Sequence, residues 1–173
     1  MQILSDLIKI LLPAGVSLLA IYFTVKAFLT KEFEKKLLDI KLTNTNIVLP
    51  IRLQAYERMS LFLERISPHN LVMRSNDPSY NVAQFHHILV HEIREEFNHN
   101  LSQQVYMSDQ VWQAVRNTKD EIISVINQAN NGLPKDAKSI ELAKKIFEVY
   151  NSKEVDPISI ALQILKDEIR KIF

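Results

Sequence analysis

The stretch HHILVHEIREEFNHN, residues 86–100, gathers four of the chain's five histidines with Glu92, Glu95 and Glu96. Within it His87, His91, Glu95 and His99 recur at every fourth position. At about 100° per residue, that spacing stacks them along one face of a helix. Two imidazoles at i and i+4 can share a metal ion, and a carboxylate one turn on can join them. Glu96-Phe97-Asn98-His99 also fits Glu-x-x-His, the pattern that di-iron helical bundles use in pairs. The candidate metal ligands are therefore His87, His91, Glu95, Glu96 and His99. The chemistry they would serve is that of a metal-binding helical-bundle enzyme.

The surrounding pattern weighs against that reading. Phe85, Ile88, Leu89, Ile93, Phe97 and Leu101 form a second stripe with spacings of three and four. That apolar stripe lies opposite the histidines, whereas metal sites in bundles project inward and carry supporting partners. A second Glu-x-x-His is missing, and Glu95 stands where the zinc-protease pattern His-Glu-x-x-His needs its second histidine. An exposed polar face explains the stretch better. A pH-sensitive surface for a partner is a weaker third reading. No catalytic residue is assigned and no cofactor is expected: the chain has no glycine-rich loop and no Gly-x-Ser-x-Gly.

Six helical segments must position these residues. Residues 30–42 read as an amphipathic extension of an N-terminal apolar run, with Phe33, Leu37 and Leu38, and further Ile40 and Leu42, on the apolar side. Thr43-Asn44-Thr45-Asn46 reads as a polar break. Helices are expected over 50–66, 81–104, from Ser108 to about 130 with Gly132 as its stop, over 136–150, and from Asp156-Pro157 to the end. Ser67-Pro68-His69-Asn70 should end the first of these. In 50–66, Leu53, Tyr56, Leu61, Phe62 and Leu63 are the expected core, and the pairs Glu57-Arg58 and Glu64-Arg65 a solvated flank. Trp112, the only tryptophan, is expected to anchor helix to helix.

Composition narrows the fold class. Apolar residues make up 47% and charged residues 24%, enough to build a core. Two glycines in 173 residues are too few for a sheet protein's hairpins and bulges, which argues for helices. The formal net charge of +1 excludes the basic excess on which nucleic-acid binding depends. Cysteine is absent, so disulfides, thiolate metal sites and cysteine nucleophiles are excluded.

Residues 10–29 carry one charge, Lys26, and are about as long as a helix that crosses the hydrocarbon core. Lys26 and Tyr22 sit near one end, where both suit the interface. A cleaved signal peptide would need a basic start and a small-x-small site, and neither is present. Lys26, Lys31, Lys35, Lys36 and Lys41 follow the run and only Lys9 precedes it. That excess places the C-terminal side in the cytoplasm.

The stretches LPIRLQAYERMSLFLERISPHNL, residues 49–71, and HEIREEFNHNLSQQVYMSDQVWQAVRNTKDEI, residues 91–122, resemble a family of small Bacteroidota membrane-anchored helical proteins of unknown function. The likeness covers roughly residues 40–130. It implies a location and a fold, and brings no substrate or catalytic residue with it.

The expectation is an all-α chain with three parts: a transmembrane anchor over 1–30, a juxtamembrane helix and linker over 31–46, and a cytoplasmic bundle of about five helices over 47–173. It would be single-pass in a bacterial inner membrane, N-terminus out. Its partners would be the bilayer through residues 10–29, and a protein or a second copy of itself. A scaffold or adaptor role is favoured over an enzymatic one. The stripe at Phe33, Leu37 and Leu38 could pair two copies or pack on the chain's own domain.

Overall fold

A computed structural model describes residues 2–171 of the chain. Met1, Ile172 and Phe173, at the ends of the expected segments, lie outside the described residues, as do the side chains of Ile10 in the expected span and Asn44 in the expected break. Among the described residues, six α-helices and one 3₁₀ segment make up the regular structure: α1 (Gln2–Ile66), α2 (Pro68–Ser75), α3 (Val82–His99), the 3₁₀ segment (Leu101–Tyr106), α4 (Asp109–Asn130), α5 (Ser139–Asn151) and α6 (Pro157–Arg170). No strand occurs among the described residues. The chain is all-α, with one long apolar helix at its N-terminus.

Two compact units divide it, Met1–Leu49 and Pro50–Phe173. The boundary falls at a proline, which has no N–H to give the carbonyl four residues back.

The first unit is a single helical segment of α1. The expected break at 43–46 does not occur, and α1 continues through it. Thr45 Oγ1 donates to the Lys41 carbonyl at 2.9 Å, so its hydroxyl is used within the helix. Thr and Asn disfavour a helix by only a few tenths of a kcal/mol each, too little to stop one already propagating.

The second unit carries the core. From the last turns of α1, Tyr56, Met59, Phe62, Leu63 and Ile66 are fully buried at spacings of three, three, one and three. Leu61, expected in the core, is exposed instead, because it lies about 100° around the helix from Phe62 on the solvent side. Glu57, Arg58, Glu64 and Arg65 are exposed, as the flank reading requires. Ser67-Pro68 ends α1, yet the proline also opens α2 as its first residue, and Leu71 donates its N–H to the Ser67 carbonyl at 2.9 Å. The segment 71–73 is thereby helical and buries Leu71 and Val72.

Asn81 caps α3 reciprocally. Its side chain accepts from Gln84 N at 2.9 Å, and the Gln84 side chain accepts from Asn81 N at 3.1 Å. Val82, Phe85, Leu89, Val90, Ile93 and Phe97 form its buried face. The helix stops at His99 and not near 104. Buried Asn100 donates its side-chain amide to Glu96 O at 2.8 Å and its backbone N–H to Phe97 O at 3.1 Å. This tightens the turn into the 3₁₀ segment and leaves Leu101 exposed, contrary to its expected place on the apolar stripe.

Ser108 caps α4 through Val111 N at 3.3 Å, and Gly132 beyond its end has φ of 84°, a left-handed conformation that suits glycine. Asp156 caps α6 by accepting from Ile158 N at 2.9 Å, with Pro157 in the first turn. Helices α3, α4 and α5 pack on one another, and α6 packs on α4. Trp112 is half-buried and stacks on Phe97 with ring centres 5.3 Å apart, while Phe97 in turn meets Phe62 at 5.8 Å. This aromatic column joins α1, α3 and α4, as expected of the tryptophan.

Candidate functional site

The apolar face of α3 faces the core, so its histidine face is turned outward. His87, His91, Glu95 and His99 are exposed and Glu96 is half-buried. The rings of His87 and His91 stack nearly parallel, 6.1 Å apart. Glu96 is drawn aside: its Oε2 lies 3.2 Å from Arg65 Nε on α1. Glu92 pairs with Arg74 on α2 at 3.6 Å. His86 Nε2 lies 2.8 Å from Asn127 Oδ1 on α4. The structure therefore brings two of the five candidate ligands together, His87 and His91. Among the described residues no three His, Asp or Glu side chains are grouped so as to hold a metal ion.

A different polar cluster was not legible in the sequence. Tyr56 is fully buried, and its hydroxyl donates to Glu168 Oε1 at 2.6 Å while accepting from Arg52 Nη2 at 2.9 Å. The second Glu168 oxygen accepts from the Ser108 hydroxyl, and Ser108 N donates to Glu168 Oε1 at 2.9 Å. Arg52 Nε also donates to the Tyr106 carbonyl at 3.1 Å. One carboxylate thus ties the end of α1, the start of α4 and the last turn of α6.

Burial acts to raise the Glu168 carboxyl's pKa, but the hydrogen bonds from Ser108 and Tyr56, with the Arg52 charge, outweigh it and hold it below the ordinary glutamate value. Burial first, and then the bond to the Glu168 carboxylate, push the Tyr56 hydroxyl up from its ordinary value. Both shifts favour the state drawn here, an ionised Glu168 accepting from a neutral phenol. The donors and acceptors satisfy one another, so the cluster is a clamp. Only Ser108, as an N-cap, and Tyr56, as a core position, carried any sequence signal; Glu168 lies 112 residues from Tyr56.

A similar knot closes the α5–α6 turn. Asp156 accepts from the Tyr150 hydroxyl and from Ser159 Oγ at 2.6 Å. Burial, and then the bond to Asp156, raise the Tyr150 hydroxyl above its ordinary range.

A shallow groove of about 390 Å³ runs between α4 and α6. Ala114, Pro157, Ala161 and Ile164 line it with Gln113 and Asn117. Thr118 closes its base by donating to the Pro157 carbonyl at 3.2 Å. Apolar walls with amides among them suit the side chains of a bound segment.

In the first unit the apolar residues of α1 are exposed. Leu11, Leu12, Val16, Leu18, Leu19 and Ile21 all present more than half of their surface. The two aliphatic hydroxyls of this segment are consumed within the helix: Ser17 donates to Pro13 O at 2.9 Å and Thr24 to Ala20 O at 2.8 Å. The Lys26 ammonium lies 6.0 Å from the centre of the Tyr22 ring. α1 is long and apolar enough to cross a membrane, and none of its most apolar stretch is buried.

No curated protein and no solved structure matches the chain. The profile of the family of unknown function DUF7935 matches residues 2–172, and the chain belongs to that family.

Proposed function

We propose that the protein is a single-pass, membrane-anchored helical domain that works by binding a protein partner at the cytoplasmic face of a bacterial inner membrane. The observation that carries the reading is the outward-facing apolar surface of α1 over residues 11–29, whose Ser17 and Thr24 hydroxyls are already bonded to the helix backbone. A segment in hydrocarbon must satisfy its polar groups internally, and this one does so at its backbone and at the Ser17 and Thr24 hydroxyls. A buried core helix would have its apolar side chains covered, and these are not. The five lysines from Lys26 to Lys41, against Lys9 before the span, support a cytoplasmic C-terminal side.

A binding role is favoured over catalysis by the way the polar groups are spent. Glu168, Tyr56, Asp156 and Tyr150 are engaged with one another across helix junctions. The groove between α4 and α6 offers apolar walls and amides, which suit a peptide or helix and not a reacting centre.

The test is fractionation with a topology reporter. The full chain should stay in the membrane pellet after alkaline carbonate washing, and a reporter fused after Phe173 should be active only in the cytoplasm. Recovery in the wash, or a reporter active only outside, would refute the anchor or its orientation respectively.

A further inference from the structure

We propose that His87 and His91 form a two-imidazole site for a borderline divalent cation of the zinc, nickel and copper class, held exchangeably on the outer face of α3. The rings stand one helical turn apart, nearly parallel at 15°, with centres 6.1 Å apart. Residues four apart on a helix are surface neighbours, with Cβ atoms about 5–6 Å from each other. Two nitrogens that share a tetrahedral cation lie about 3.4 Å apart, given metal–nitrogen bonds of about 2.05 Å. Both side chains are exposed, so rotation about their own bonds brings the nitrogens to that separation without moving the backbone.

Nothing else in the protein uses this pair. His86 is bonded to Asn127 on α4, Glu92 to Arg74 on α2 and Glu96 to Arg65 on α1. Among the described residues, neither His87 nor His91 has a hydrogen-bond or ion-pair partner; each meets only the other's ring. A cation therefore displaces water from their nitrogens and breaks no bond within the fold.

The donor set fixes the class of ligand. Neutral imidazole suits zinc, copper and nickel, whereas magnesium and calcium take oxygen ligands. Glu95 lies one turn beyond His91 without grouping with the pair. Arg94 is exposed beside it, so the two charges offset each other and the imidazoles carry the binding. Two protein ligands leave two tetrahedral positions to water. The rings lack the carboxylate or carbonyl partners that orient ligands in a tight site, which makes this one reversible. His87 also lines a shallow pocket of about 420 Å³ with Tyr80, Ala83, Gln84 and Ile88. The cation thus stands at the rim of a concave surface, with its water-filled positions open to an incoming donor group. The site lies within the second unit and does not depend on the membrane reading.

Zinc chloride and nickel chloride, titrated separately by calorimetry into the full chain in detergent and without a polyhistidine tag, should each show one site per chain with a micromolar dissociation constant. Magnesium chloride should show none. His87→Ala and His91→Ala should each weaken binding about tenfold or more, because the remaining imidazole loses the effective concentration of its partner. His99→Ala, on the same face two turns further on, should leave the affinity unchanged. All three positions are exposed, so the variants keep the core, and equal helix content by circular dichroism checks this. No heat of binding at millimolar zinc or nickel, undiminished affinity in His87→Ala or His91→Ala, or an equal loss in His99→Ala would each overturn the site.

Discussion

The hydroxyl of Tyr56 makes two bonds inside a fully buried residue, accepting from Arg52 and donating to Glu168. Tyr56→Phe keeps the ring and removes both, leaving a carboxylate and a guanidinium to find new partners. The expected loss is about 1–3 kcal/mol, read from chemical unfolding of the full chain in detergent. A loss near zero would mean that water replaces the phenol at this junction. Glu168 should give the clamp a pH dependence of definite sign. Its carboxyl is held below the ordinary glutamate value, so the stability it contributes is complete above that value and is lost as pH falls through the lowered one. Glu168→Gln should therefore destabilise clearly at about pH 7 and much less at about pH 3. An equal penalty at both would show that the carboxylate charge is irrelevant to the clamp.

Caps and breakers decide where the elements begin and end. Asp156 holds Ile158 N, Ser159 Oγ and the Tyr150 hydroxyl, so it both starts α6 and ties it to α5. Asp156→Ala should lower stability by about 1–2 kcal/mol, at the upper end for an N-cap, and Asp156→Asn should recover part of it; identical losses in the two variants would reduce the residue to its charge. The starts of α3, α4 and α6 were readable because Asn81, Ser108 and Asp156 act on amides two or three residues away. The end of α3 was not readable, because Asn100 terminates the helix only once it is buried with its amide on Glu96 O. The break expected at 43–46 failed for the opposite reason: weak local preference gave way to a helix already formed on both sides.

At the scale of the molecule, the second unit has its own core and its own polar clamps, all drawn from residues after Pro50. Removing residues 1–30 should leave a water-soluble protein with native helix content by circular dichroism and a single cooperative unfolding transition. A fragment that is unstructured would mean that the bilayer segment is needed for folding.

Periodicity and composition by themselves determined that the chain is helical, that its N-terminal run is apolar enough to span a membrane, and which face of α3 is polar. These follow from spacing along a single helix, where neighbours in space are three or four residues apart. Tertiary structure alone decided that Glu168 meets Tyr56 and Ser108, that Glu96 turns to Arg65 and away from the histidines, and that Leu61 stays in water. Such meetings depend on how separate helices dock, and docking is fixed by packing among side chains far apart in the sequence.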